Sequence, residues 1–434
     1  MDRIRINGGK PLHGEVSISG SKNSALPIMT ASLLADSPCV IHNIPRLRDI
    51  DTMANMLRFV GAEVEQKDAS LYIDPRNFNH SEAPYDMVRK MRASIYVLGP
   101  MLAKLRRARV SMPGGCVIGQ RPIDIHIRGI KALGADVSLE PGYITADGQH
   151  LHGGAVSLEG PFGSSVGATC NILMVAVLTQ GTTILRGAAR EPEVVDLVEF
   201  LNSMGARIKG AGSSTITIEG VDSLHGSEYS IIPDRIEAGT FMIAFAITRG
   251  EGIIKGCDVD HLDAVITKIE EMGVRVEKLP EGLKISIPEA FQSVTIRTSP
   301  YPGFPTDMQA QFTALLSIIK GKSIVTDTIF QERYIHCAEL RRMGADLMIS
   351  GGSVYINGVE KLGGAPVMAS DLRASAALVL AGLAAEGTTE ILRVYHIDRG
   401  YEHIEEKLQQ LGADIVRFDP AKDRLSQHQM EEEA

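Results

Sequence analysis

The chain contains no tryptophan, and only 5% of its 434 residues are aromatic. It has no run of Lys and Arg, no basic stripe interleaved with aromatics, and a formal net charge of −9. A nucleic acid is therefore excluded as the expected partner, because phosphate-backbone binding needs a basic footprint. Cysteine is also scarce. Five residues (Cys39, Cys116, Cys170, Cys257 and Cys337), scattered and odd in number, make neither a disulfide framework nor a CxxC metal site. The first residues, MDRIRINGGKPLHGEV, carry no apolar stretch that would argue for secretion. The longest charge-free run, between Glu159 and Arg186, is broken by Gly, Asn, Thr and Gln, and reads as helix, turn and strand rather than as a membrane span. A cytoplasmic protein with no membrane partner is the expectation. The polar end, residues 421–434, has no periodicity and is expected to be disordered.

What the chain does have is apolar residues, at 44%, enough for two or three cores in a chain of this length. It also has a repeat. An apolar residue, Gly, a small residue, a polar residue and an apolar one recur six times, as VGAEV, LGADV, MGARI, MGVRV, MGADL and LGADI. The glycines are Gly61, Gly134, Gly205, Gly273, Gly344 and Gly412, at intervals of 73, 71, 68, 71 and 68 residues. Upstream of most copies the apolar residues follow helical spacing, for example Leu262, Val265, Ile269 and Met272. Each glycine then falls where a left-handed helix C-cap is needed, before a strand-like alternation. Each unit also has a second helix that is apolar nearly all round, as in EAGTFMIAFAITRG, and such a helix belongs inside its domain. The pattern strand, helix, strand, helix, strand argues for an α/β architecture.

The second helices begin near Lys22, Arg92, Ser165, Glu237, Asp307 and Arg373. If the units superpose, these N-termini converge, and their unpaired N–H groups form an anion-attracting funnel in an acidic protein. Several residues at or near these starts bear on chemistry. Cys116 sits in PGGC beside Arg121; most lone cysteines are small buried hydrophobes, but a Gly-rich loop next to a cation favours an exposed thiolate. Lys22 and Asn23 open a helix after a Ser-Gly turn, where a phosphate or carboxylate binds. Arg92, Arg121, Arg373 and Arg399 interrupt small or apolar surroundings and each needs a carboxylate or an anionic ligand. Asp307, after two prolines at a helix start, reads either as a structural N-cap or as a general base. GKS at 321–323 lacks the glycine of a P-loop, GAGSST at 210–215 lacks the last glycine of a dinucleotide fingerprint, and His150 with His152 has no third metal ligand.

Longer motifs carry a family resemblance. RINGGKPLHGEVSISGSKNSALPI, PYDMVRKMRASIYVLGP, PGGCVIGQRPIDIHI, AAREPEVVDLVEFL, IPDRIEAGTF, FPTDMQAQF, VMASDLRASAALVLAG and YHIDRGYEHIEEKL, in that order, resemble the UDP-N-acetylglucosamine 1-carboxyvinyltransferases (enolpyruvyl transferases) of the EPSP synthase superfamily. The resemblance spans the chain except its tail. It implies a two-domain inside-out α/β barrel, six units with three per domain: an N-terminal domain at 22–232 and a C-terminal domain made of 1–21 and 233–420. It implies transfer of the enolpyruvyl group of phosphoenolpyruvate to the 3′-hydroxyl of UDP-N-acetylglucosamine with release of phosphate, in peptidoglycan precursor synthesis. No metal or organic cofactor is implied, and a monomer is expected.

Residue by residue, the resemblance makes Cys116 the proton donor, open to alkylation by epoxides such as fosfomycin, and Asp307 the acceptor of the hydroxyl proton. Lys22, Asn23, Arg121, Arg399 and Cys116, whose thiol can also bond covalently to it, become the ligands of phosphoenolpyruvate, with Lys22 and Arg399 also in the catalytic set. Asn23, Arg92, Arg121, Pro122, Ile123, Asp124, Ile125, Gly163, Ser164, Ser165, Val166, Asp307 and Ile329 match positions that hold the sugar nucleotide. Asp371 and Arg373 match supporting residues of the cleft. Around Gly163 the stretch PFGSSVGAT departs from relatives that carry a lysine before SVGAT. The alternatives are a 5-enolpyruvylshikimate-3-phosphate synthase, which would not need PGGC or RPIDIH, and a non-catalytic sugar-nucleotide-binding protein.

Overall fold

The structure, a computed structural model, describes residues 2–112 and 123–420. The PGGC loop, including Cys116, Arg121 and Pro122, and the tail 421–434 lie outside them. No described helix is long and apolar enough to cross a membrane.

Among the described residues, mixed α/β content is arranged around six four-stranded sheets of one design. In each, a short edge strand runs parallel to its neighbour, and the next two strands follow antiparallel. One example is Ala155–Ser157, Thr182–Arg186, Thr215–Glu219 and Arg207–Lys209. One sheet borrows its third strand, Arg3–Asn7, from the start of the chain, pairing it with Thr388–Leu392 and Asp414–Phe418. Before the outer strand of each sheet runs an amphipathic helix, such as Arg48–Phe59 or Asp263–Glu271. The repeat glycines follow these helices, and all six have positive φ, from +88° to +111°, which the missing Cβ permits without strain.

The second helices are the interior. Lys22–Ala31, Leu98–Leu105, Val166–Ala176, Arg235–Ile247, Gln309–Leu316 and Leu372–Ala384 are buried over nearly their whole length. Their apolar residues fall into two clusters. One runs from Ala25 to Ile231; the other joins Ile4–Ile18 to Ile236–Ile415. The chain passes between them twice, and the two passages pair with each other through a bridge between Gly20 and Pro233. Ser21 donates its N–H to Ile232 O, and Asp234 donates its N–H to Ser19 O. A Cβ at Gly20 would stand 1.7 Å from the Asn43 carbonyl oxygen, so only glycine allows this crossing.

Candidate active site

Lining residues from both clusters enclose a cavity of about 450 Å³. The first turns of all six interior helices, or the 3₁₀ turns leading into them, reach it, through Lys22, Arg92, Val166, Arg235, Asp307 and Arg373. Four of the six starts are capped by side chains: Ser21, Ser165, Asp234 and Asp371 accept N–H groups of their own first turns, while Met91 and Pro305 make no such bond at the other two.

Asp307 is not one of the caps. Pro305 stands at that position with no side-chain bond, and the Asp307 carboxylate lies between two guanidiniums. Arg333 Nη1 donates to Oδ1 at 2.7 Å, and Arg373 donates to Oδ2 from Nη2 at 3.0 Å and from Nε at 3.2 Å. Burial alone would push this carboxyl up; Arg373 and Arg333 together outweigh it and hold it well below the usual carboxylate range.

A second charge cluster joins the halves. Arg399 donates to Asp49, with Nε 2.9 Å from Oδ1, and Lys22 Nζ stands 3.5 Å from Asp49 Oδ2. Asp49 is 4% exposed, so these two cations share one buried carboxylate. Burial lowers the Lys22 pKa, Asp49 opposes that, and Arg373 and Arg399 reinforce it. A third link crosses beside them: Arg235, opening the fourth interior helix, is bidentate to Glu193 at 3.0 and 3.2 Å. The site can therefore present several cations to a ligand carrying more than one negative charge, with Asp49 and Asp307 neutralising them otherwise.

Of the described residues expected at the site, Lys22, Asn23, Arg92, Asp124, Ile125, Gly163, Ser164, Ser165, Val166, Asp307, Ile329, Asp371, Arg373 and Arg399 all line this cavity. Ile123 does not; it precedes the helix Asp124–Ala132 and packs against the first apolar cluster. Cys116, Arg121 and Pro122 fall outside the described residues. Gly163 has φ +96°, and a Cβ there would stand 2.7 Å from Pro300 Cγ, so the 160–165 turn can touch the opposite wall only as glycine. Cys170 is fully buried, and burial pushes its thiol far up, the ordinary behaviour of a core cysteine.

Sequence reasoning missed Asp49, Arg333, Glu193 with Arg235, and His126. Asp49 and Arg235 do stand in the first turns of their helices, a position that could have flagged them. Arg333 and His126 carry no local signal; only the folded chain brings them to the cavity.

An interior-helix funnel lined by paired cations between two apolar clusters defines a class, and the family pattern described as EPSP synthase (3-phosphoshikimate 1-carboxyvinyltransferase) matches residues 6–408. Among solved structures, the enolpyruvyl transferase NikO from Streptomyces tendae superposes with a TM-score of 0.87 at 26% identity, covering 96% of this chain and 98% of that one. EPSP synthase from Acinetobacter baumannii, at 17% identity and a TM-score of 0.73, shares the fold. The chain belongs to the EPSP synthase family. Within it, the chain is a member of the UDP-N-acetylglucosamine 1-carboxyvinyltransferases: the proteins so named from Desulfosudis oleivorans and Methylacidiphilum infernorum are 53% and 52% identical to it, over 97% and 96% of its length and 100% and 99% of theirs.

Proposed function

We propose that the protein transfers the enolpyruvyl group of phosphoenolpyruvate to the 3′-hydroxyl of UDP-N-acetylglucosamine and releases phosphate, a step of peptidoglycan precursor synthesis. The observation that carries this reading is the cavity's paired charge clusters, Lys22–Asp49–Arg399 and Arg333–Asp307–Arg373, in a chain half identical to relatives named for that reaction. PGGC and RPIDIH, which a shikimate acceptor would not need, favour the nucleotide sugar over shikimate 3-phosphate.

In this reading the phosphate and carboxylate of phosphoenolpyruvate displace Asp49 from Lys22 and Arg399, with Asn23 and Arg121 completing the ligands. The 3′-oxygen adds to C2 of phosphoenolpyruvate while C3 takes a proton from Cys116. The hydroxyl proton goes to Asp307. A carboxylate with so low a proton affinity is a weak base, yet the proton leaves an oxygen whose acidity climbs as the C–O bond forms, so a weak base suffices. The tetrahedral adduct then expels phosphate from C2 as C3 returns a proton to the Cys116 thiolate, and the proton held by Asp307 leaves with the phosphate, so both groups regain their starting states. Arg92, Pro122, Asp124, Ile125, Gly163 to Val166 and Ile329 hold the nucleotide sugar, and Asp371 and Arg373 support the far wall.

We also read the chain as two domains, 22–232 and 1–21 with 233–420, each an inside-out barrel of three units, working as a cytoplasmic monomer. The two apolar clusters and the paired crossings at Gly20 and Pro233 support that division. The test is phosphate release from phosphoenolpyruvate with UDP-N-acetylglucosamine or shikimate 3-phosphate, in the wild type and Cys116→Ser. Turnover with the nucleotide sugar, lost or greatly slowed in the variant, is expected. Release only with shikimate 3-phosphate, or none, would overturn the reading, and an unchanged rate in the variant would remove Cys116 from the mechanism.

A further inference from the structure

We propose that His126 is a neutral hydrogen-bond donor to a phosphate oxygen of the nucleotide, with its proton fixed on Nε2 by Asn171. The inference rests on the reading above, in which the cavity holds a nucleotide sugar.

Asn171 lies in the middle of the third interior helix and is 1% exposed. Two backbone groups fix which way its amide points. Gly99 can only donate, and its N–H lies 3.0 Å from Oδ1; the Ile95 carbonyl can only accept, and it lies 3.1 Å from Nδ2. The second N–H of Nδ2 then meets His126 Nδ1 at 3.0 Å, so that ring nitrogen accepts. A neutral imidazole accepting at Nδ1 carries its proton on Nε2, and a cationic ring would set N–H against N–H. Burial, aided by the charge of Arg92, pushes the imidazole down to about 4, so the ring is neutral at neutral pH.

The free end of the ring lies on the cavity. His126 is 5% exposed, yet it lines the cavity, and Nε2 meets no protein acceptor among the described residues. A Cβ at Gly167 would stand 3.3 Å from Nε2, so the absence of a side chain there leaves that nitrogen open beside the first turn of Val166–Ala176. Ser165 accepts the N–H of Ala168, which leaves earlier N–H groups of this turn for a ligand. A helix N-terminus and an oriented N–H donor thus converge on one point, which fits a phosphate oxygen and adds no formal charge to hold there.

Nitrogen NMR of the imidazole in the wild type at pH 7 reads the tautomer directly. Pyridine-type Nδ1 and protonated Nε2 are expected; the opposite tautomer, or an imidazolium, would overturn the proposal. In His126→Leu, KM for UDP-N-acetylglucosamine and Kd for UDP rise about 10- to 100-fold while kcat stays within about threefold, the loss expected for a hydrogen bond to a charged group. His126→Gln restores most of the affinity, because its amide N–H replaces Nε2–H. Wild-type affinity in His126→Leu, or equal losses in both variants at unchanged melting temperature, would overturn the donor role alone. A wild type that does not bind UDP would overturn the functional reading and this inference together.

Discussion

Replacing Asp307 with Asn removes one negative charge and keeps the shape. In the structure that charge accepts three hydrogen bonds from two guanidiniums, Arg333 at 2.7 Å and Arg373 at 3.0 and 3.2 Å, whose side chains are 7% and 2% exposed. Breaking a buried pair from one side costs about 3–5 kcal/mol because a charge is left uncompensated. Asp307 is itself 27% exposed to the cavity, so water screens part of that loss and about 2–3 kcal/mol is the expected destabilisation. Catalysis should fall further. Loss of a positioned proton acceptor removes about 10²- to 10⁴-fold of rate. The two effects separate experimentally: thermal unfolding followed by circular dichroism reads the first, and kcat for phosphate release, measured well below the melting temperature, reads the second. An Asp307→Asn protein with kcat within about threefold of wild type would refute the base assignment, whatever its stability. The same ion pairs set a pH dependence. The folded-state pKa of Asp307 is depressed, so its contribution to stability is complete above about pH 4, the unfolded carboxylate range, and is lost only as pH falls further through the folded value.

Further expectations follow from the other contacts. Asp49→Asn leaves Lys22 and Arg399 without their shared carboxylate, so the variant should melt lower than wild type, and added phosphate should recover more of its melting temperature than it adds to wild type; equal increments would contradict the placeholder role of Asp49. For Lys22, burial lowers the folded-state pKa below that of the unfolded chain. Phosphate affinity, measured by calorimetry, should therefore weaken on the acid side of an ordinary lysine titration, whereas stability rises with pH in that window because the unfolded chain binds more protons there. Gly163→Ala combines a positive φ with a contact 2.7 Å from Pro300 Cγ; it should cost about 1 kcal/mol or more in stability and raise KM for the nucleotide sugar several-fold, and wild-type values of both would show that the 160–165 turn has no need of its glycine.

The parts of this fold legible in the sequence were those with a local physical cause. A glycine at a fixed interval after an amphipathic helix signals a left-handed cap, and all six have the expected positive φ. An apolar helix opened by a polar cap signals an interior element, and the regular spacing of six such starts anticipated a shared cavity. What stayed hidden was pairing. Asp49 and Arg399 are 350 residues apart, and nothing near either names its partner. Arg373 and Arg399 were expected to meet either a carboxylate or an anionic ligand; each meets a carboxylate that itself lies in the cavity, and only the folded chain reveals the choice. The sequence allows Asp307 to be a helix cap or a base; Pro305 occupies the cap position, and the Asp307 carboxylate pairs with Arg333 and Arg373 instead. His126 and Asn171 escaped for the same reason, because a tautomer is set by three segments meeting in space.

The most direct measurement is the structure of the product. Phosphoenolpyruvate labelled with carbon-13 at C2, incubated with UDP-N-acetylglucosamine and the enzyme, should yield one new species by mass spectrometry and NMR, with the label in an enol ether on the sugar 3′-oxygen and one phosphate released per transfer. Phosphate release that leaves the label in free pyruvate, or a labelled enol ether that forms only on shikimate 3-phosphate, would contradict the account.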